Sequence, residues 1–153
     1  MSVPKSVVKV NKNGVTYTSN VDACQYYLFE LNRAALRDVA KFVKVKFRES
    51  YYSHFDRETG NAGRATSYSV LSNSKTKYPR VEIGLKKNQL KGTYGYEQEF
   101  GTSTVPRLGL LRGAVEDNIA QIIEIESKYL SGLEDEAKAL SMINEEDYSD
   151  EDE

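Results

Sequence analysis

From Ser19 to about Ser50, apolar residues recur at three- and four-residue steps: Cys24, Leu28, Leu31, Ala35, Val39, then Phe42 or Val43. Arg33, Arg37, Lys41, Lys44 and Arg48 fall largely on other faces. The spacing predicts one amphipathic helix, with Ser19 and Asp22 as a capping-box-like start. At about 1.5 Å per residue, a helix of about 30 residues is about 45 Å long, more than the width of a small domain. A chain of 153 residues, 39% hydrophobic and 29% charged, fits one domain with a modest core. The helix therefore either bends or serves as the spine on which the rest is laid. Phe29 reads as core, while Tyr26 and Tyr27 suit either a core or a subunit interface.

Short extended runs lie on either side of this helix. Val7 to Tyr17 reads as a hairpin turning through Asn11-Lys12-Asn13-Gly14. An isolated two-stranded ribbon is marginal in water, so this arm needs either its own domain or a neighbour to pack on. Ser67 to Ser72 and Arg80 to Leu85 form a second hairpin, with Lys75 and Lys77 in its connecting loop and Lys86, Lys87 and Lys91 beyond it. Tyr51 to Thr66 reads as loop, carrying His54, Arg57 and Arg64. A second helix spans Leu108 to Leu133, with a stripe of Leu108, Leu111, Val115, Ile119, Ile122 and Tyr129 or Leu130. Ile123 and Ile125 lie off that stripe, as residues open to a partner would.

Between the second hairpin and the second helix lies Tyr94 to Leu111. Tyr94, Tyr96, Gln98 and Phe100 alternate, which predicts a third strand. Gly101 permits a backbone angle that a Cβ resists. Thr102, Ser103 or Thr104 is suited to cap a helix opened by Pro106. The fold class expected is α+β: a small antiparallel sheet of three to four strands packed against a long N-terminal helix and a second, C-terminal helix.

The corner Glu99-Phe100-Gly101-Thr102, followed by Pro106-Arg107-Leu108 and a helix, resembles a signature of the head–tail joining proteins of long-tailed bacteriophages. Thr59-Gly60-Asn61 upstream matches a second element of that pattern. The resemblance spans roughly residues 20 to 130 and departs from the family at Gly109, where a bulkier residue is usual. It implies a neck or tail-completion protein, related in fold to tail terminators. Such a protein is a virion subunit assembled in the host cytoplasm as a ring, six copies being favoured over twelve. It would contact neighbouring head-completion and tail proteins, and DNA would pass through without sequence specificity. In that reading Phe100 is an apolar anchor, Gly101 the turn, and Glu99 a charge for pairing across an interface. Thr102, Pro106 and Arg107 complete the interface. His54, Arg57, Arg64, Lys75 and Lys77 are candidates for the channel wall or a ring-to-ring contact.

Composition narrows the classes. There is no apolar run long enough to span a bilayer and no apolar N-terminal signal, so a cytoplasmic or virion setting is expected. The single Cys24 forms neither an internal disulfide nor a metal cluster. Ser53, His54 and Asp56 are too close in sequence to build a hydrolytic triad, and His54 has no partner at ligand spacing. Gly60-Asn61-Ala62-Gly63 lacks the helices of an RNA clamp. No cofactor and no enzymatic activity are expected. The net charge of −2 conceals a split. Residues 134–153 hold ten acids and Lys138, a charge of −9, and the other 133 residues hold 20 bases and 13 acids, a charge of +7. The expected division is a head–tail joining domain at 1–133, with an arm at 1–18, and an acidic, disordered tail at 134–153, within which Ala137 to Ile143 has room for one or two more turns of helix and Glu145 to Glu153 buries nothing. The basic body also permits a nucleic-acid-binding module as the alternative function.

Overall fold

The computed structural model describes residues 3–10, 13–55, 64–71, 78–86 and 94–148. Strands β1 (Val7–Val10) and β2 (Thr16–Ser19) pair antiparallel, Val7 opposite Ser19 and Val10 opposite Thr16. Helix α1 follows as Val21–His54, 34 residues or about 51 Å. Then come β3 (Thr66–Leu71) and β4 (Arg80–Leu85), α2 (Tyr94–Phe100), α3 (Leu110–Glu116) and α4 (Ile119–Leu130). A 3-10 turn at Ser131–Glu134 leads into α5 (Glu136–Tyr148). The class is α+β as expected, with four strands divided between two separate two-stranded sheets.

Helix α1 is the spine. Its buried residues Tyr27, Leu31, Ala34, Ala35, Val39, Ala40, Val43 and Phe47 keep the spacing of one face. Cys24 and Leu28, expected on that face, are exposed, and Tyr27 takes their place at its start. The cap also differs. Asn20 occupies that position without a side-chain cap bond, because Ser19 is still in the β2 ladder.

Two apolar clusters sit along α1. The first joins Tyr27, Leu31, Ala34 and Ala35 to Tyr129 and Ala139. The second joins Val39, Val43 and Phe47 to Leu110 and Ala114, with Ile83 and Leu85 of β4 packed against it. Ile125 touches both clusters and ties them together. Val43 is fully buried and Phe47 nearly so, and burial of side chains of this size stabilises by about 1.5–3 kcal/mol each. The β3–β4 register places Tyr68 opposite Ile83 and Val70 opposite Val81 on one face of that sheet.

Three expectations change. The strand expected before Phe100 is the helix α2. The second long helix is broken at Asp117–Asn118, where Asn118 N–H bonds Val115 O in place of the carbonyl four residues back. Asn118 Nδ2 meanwhile donates to Ala114 O at 3.1 Å. The break resets the helical phase. Leu110 and Ala114 of α3 turn inward, whereas Val115 and Ile119 are exposed, as is Leu108 in the loop before α3. Third, the helical turns expected at Ala137 to Ile143 extend over Glu136–Tyr148, further into the acidic segment than its charge suggests. Its Ala139, Leu140, Met142 and Ile143 pack on the first cluster, which supplies the burial that residue count and charge alone do not reveal.

Candidate functional site

The corner is built from α2 outward. Gly95 and Gln98 face inward and are buried, while Tyr96 (66% exposed) and Phe100 (55%) lie one helical turn apart outside. Their ring centroids are 4.6 Å apart, inclined by 38°. The helix ends because Gly101 takes a left-handed φ of 77° and its N–H bonds Glu97 O at 2.7 Å. This is the left-handed glycine C-cap, in which the first residue past the helix satisfies an orphan carbonyl.

Beyond Gly101 the chain closes on itself. Thr102 N–H donates to Val105 O at 2.9 Å, and Thr102 Oγ1 accepts from Val105 N at 3.0 Å and Thr104 N at 3.3 Å. Thr102 therefore caps a turn within the loop. Pro106 likewise lies in the loop, four positions before α3 begins at Leu110. Arg107 passes so close that a Cβ at Gly101 would sit 2.9 Å from the Arg107 Cβ and 3.1 Å from its N. The strand of chain then docks on α2, with Leu108 N donating to Gln98 O at 2.8 Å. Gly109, also left-handed at φ 61°, turns the chain into α3.

Glu99 completes the corner. Its Oε2 accepts from Leu111 N at 2.9 Å and its Oε1 from Arg112 N at 3.1 Å. These are the second and third residues of α3, whose N–H groups have no partner within the helix. A charged acceptor also suits the positive end of the helix dipole. The expected role of Glu99, a free charge for pairing across an interface, is thereby corrected: both oxygens are engaged inside the corner.

The other expected site residues are dispersed. His54 is in the last turn of α1, not in a loop, with its Nδ1 2.9 Å from Ser50 O. A ring nitrogen facing a terminal carbonyl is a helix-end interaction. Arg64 is exposed, and Arg57, Lys75, Lys77 and Thr59-Gly60-Asn61 lie outside the described residues. Phe100, Thr102, Pro106 and Arg107 are all exposed on the corner.

Beside the corner opens a groove of about 1090 Å³. Val81 and Ile83 of β4, Tyr96 and Phe100 of α2, Val115 of α3 and Ile122 of α4 supply its apolar walls. Neither Val115 nor the exposed row Ile119, Ile123 and Leu130 on α4 follows from the sequence pattern in full, since the break at Asn118 sets which residues turn outward. The signal that was present is Ile123, which lies off the main stripe. On an ideal helix, Ile119, Ile123 and Leu130 fall within about 40° of one another.

The described residues hold no group of three or more His, Cys, Asp or Glu side chains placed to bind a metal, and no helix long and apolar enough to cross a membrane. What the geometry offers is a stiff, exposed corner next to an apolar groove. Comparison with family models, with curated proteins and with solved structures gives no match.

Proposed function

We propose that the chain is a virion structural protein, a subunit of a ring at the junction of phage head and tail, acting as a neck or tail-terminator component. The observation that carries the reading is apolar surface left over after the core is complete. Tyr96 and Phe100 on α2 and Ile119, Ile123 and Leu130 on α4 are all exposed. A small monomer rarely leaves so much apolar area in contiguous rows, and such rows mark surfaces of association. The corner that resembles the phage family is itself stiffened by the two left-handed glycines and the Glu99 cap, so Phe100 is presented in a fixed place. The function is mechanical and non-catalytic. Subunits meet around an axis, six copies being favoured over twelve, and duplex DNA passes through the opening to the neighbouring tail proteins.

Electron microscopy of particles, with the protein located by a label, tests the reading. A symmetric ring of this chain at the neck is the expected image, and a single copy per particle overturns it. The alternative is a nucleic-acid-binding module, favoured by the charge of +7 on residues 1–133. That module would bind duplex DNA with an affinity falling steeply as salt rises. The ring reading expects weak binding without sequence preference.

A further inference from the structure

We propose that the β1–β2 arm of one subunit seats in the apolar groove of the next, and that this is the contact that propagates the ring. The inference rests on the ring reading and names the two surfaces that make it.

Among the described residues the strands of the arm touch little of their own subunit beyond each other. β1 and β2 pair with each other, and neither packs extensively on another element. Val8 is 57% exposed and Tyr17 60%, and they stand on opposite faces of the ribbon. A two-stranded ribbon of this size is not stable alone in water, so its residues need a surface to cover. The root of the arm is fixed, because Val3 packs against the first apolar cluster near the start of α1. The groove instead reaches α1 at Leu36, Val39 and Val43. Leu36 is 15 residues beyond the first residue of α1, or about 22 Å along its axis.

Charge selects the occupant. Residues 1–20 carry Lys5, Lys9 and Lys12 and no acid. The charged residues lining the groove are Glu99, Glu116 and Glu126 against Arg112; Glu99 is taken up by the α3 amides and Arg112 lies 4.0 Å from Glu116, so Glu126 carries the acidic charge outside those contacts. An apolar, basic ribbon thus fits an apolar groove with an acidic rim, and the acidic residues 144–153 do not. Electrostatic matching of this kind fixes partner and register more than it raises affinity. Arm and groove are different patches of one chain, so the contact is heterologous: it leads head to tail and closes into a ring when the rotation allows.

The test uses the full chain in three forms. One carries Val8→Asp with Tyr17→Asp in the arm, the second carries Val115→Arg in the groove, and the third is wild type. All three positions changed, Val8, Tyr17 and Val115, lie on the surface, and circular dichroism checks that the helices persist. Mass is measured by light scattering against concentration. The wild type is expected to form a closed oligomer, and each variant to self-associate more than about tenfold more weakly. Mixed one to one, the intact groove of the first and the intact arm of the second are expected to give a heterodimer, twice the 17.3 kDa chain. Variants that assemble like wild type overturn the arm contact and leave the ring reading standing. A wild type monomeric at every concentration also overturns the arm contact, while the copy number on particles judges the ring separately.

Discussion

The Glu99 Oε2 holds the amide of Leu111 at 2.9 Å, so the last turn of α2 caps the first turn of α3. A cap normally comes from the residue just before a helix, but here that position is Gly109, which has no side chain to offer. Replacing Glu99 with Ala leaves two α3 amides without their acceptor and is expected to cost about 1–2 kcal/mol. For a domain of this length that lowers Tm by roughly 2–8 °C. Glu99→Gln keeps one acceptor oxygen but loses the charge facing the helix dipole, so it should fall between the two. A thermal melt of the three proteins decides it; equal Tm values would show that the carboxylate is dispensable.

Gly101 and Gly109 are both left-handed, yet their surroundings differ. A Cβ at Gly101 meets Arg107 backbone and Cβ within 3.2 Å, whereas one at Gly109 meets only the Arg107 Nε at 3.9 Å. Gly109→Ala therefore carries the backbone strain alone, about 1–2 kcal/mol. Gly101→Ala carries that strain and also forces the loop away from α2, so it is expected to cost clearly more. Under the proposed ring function, Gly101→Val should further impair head–tail joining while heads and tails are still made. Denaturant midpoints rank the two alanine variants, and the opposite order would contradict the close approach at Arg107.

How far the sequence reveals this fold can be argued from the same residues. The spine helix and the β3–β4 hairpin are legible because each holds its period over most of its length, α1 departing from it only at Cys24 and Leu28. Gly101 was legible as a turn because only glycine enters the left-handed region freely. Tyr94 to Phe100 was not, because Tyr96 and Phe100 fit both an alternating strand and one turn of helix, and a run of seven residues cannot separate the two. Burial of Gly95 and Gln98, three apart, shows that the helical period won. The Glu99 cap was invisible because its partners lie 12 and 13 residues away. Within the acidic segment the helical turns at Ala137 to Ile143 are legible, but not the surface on α1 and the 3-10 turn against which Ala139 and Met142 pack.

Tyr27 gives the fold a dependence on alkaline pH. Its hydroxyl donates to Glu136 Oε1, and that hydrogen bond, followed by burial and the carboxylate's charge, pushes the phenol up to about 12. An unfolded tyrosine titrates near 10. Between those values the unfolded chain gives up the proton while the folded chain keeps it. The stabilisation is therefore complete below pH 10 and is lost as pH rises through 12. Wild type should lose stability across this window more steeply than Tyr27→Phe, whose ring remains but whose proton does not. Parallel pH profiles of the denaturation midpoint would refute the coupling.

The same contact fixes where the chain can be shortened. Truncation after Ile143 keeps Glu136, Ala139, Leu140, Met142 and Ile143, the residues of α5 that reach α1 and the 3-10 turn. It also removes seven of the ten acids in residues 134–153. Tm is expected to stay within a few degrees of wild type. Truncation after Asp135 instead strips the buried Ala139, opens Tyr27 and Leu31 to water, and removes the Glu136 acceptor. Each buried apolar side chain uncovered there costs on the order of 1–3 kcal/mol, so this shorter chain should be severely destabilised. It should also lose the alkaline slope ascribed to Tyr27, because the bond that raises the phenol is gone. The first truncation then reads the acids alone. Assembly and DNA retention unchanged across a range of salt would mark them as solubilising, whereas assembly lost, most sharply at low salt, would mark them as a docking surface for a basic neighbour.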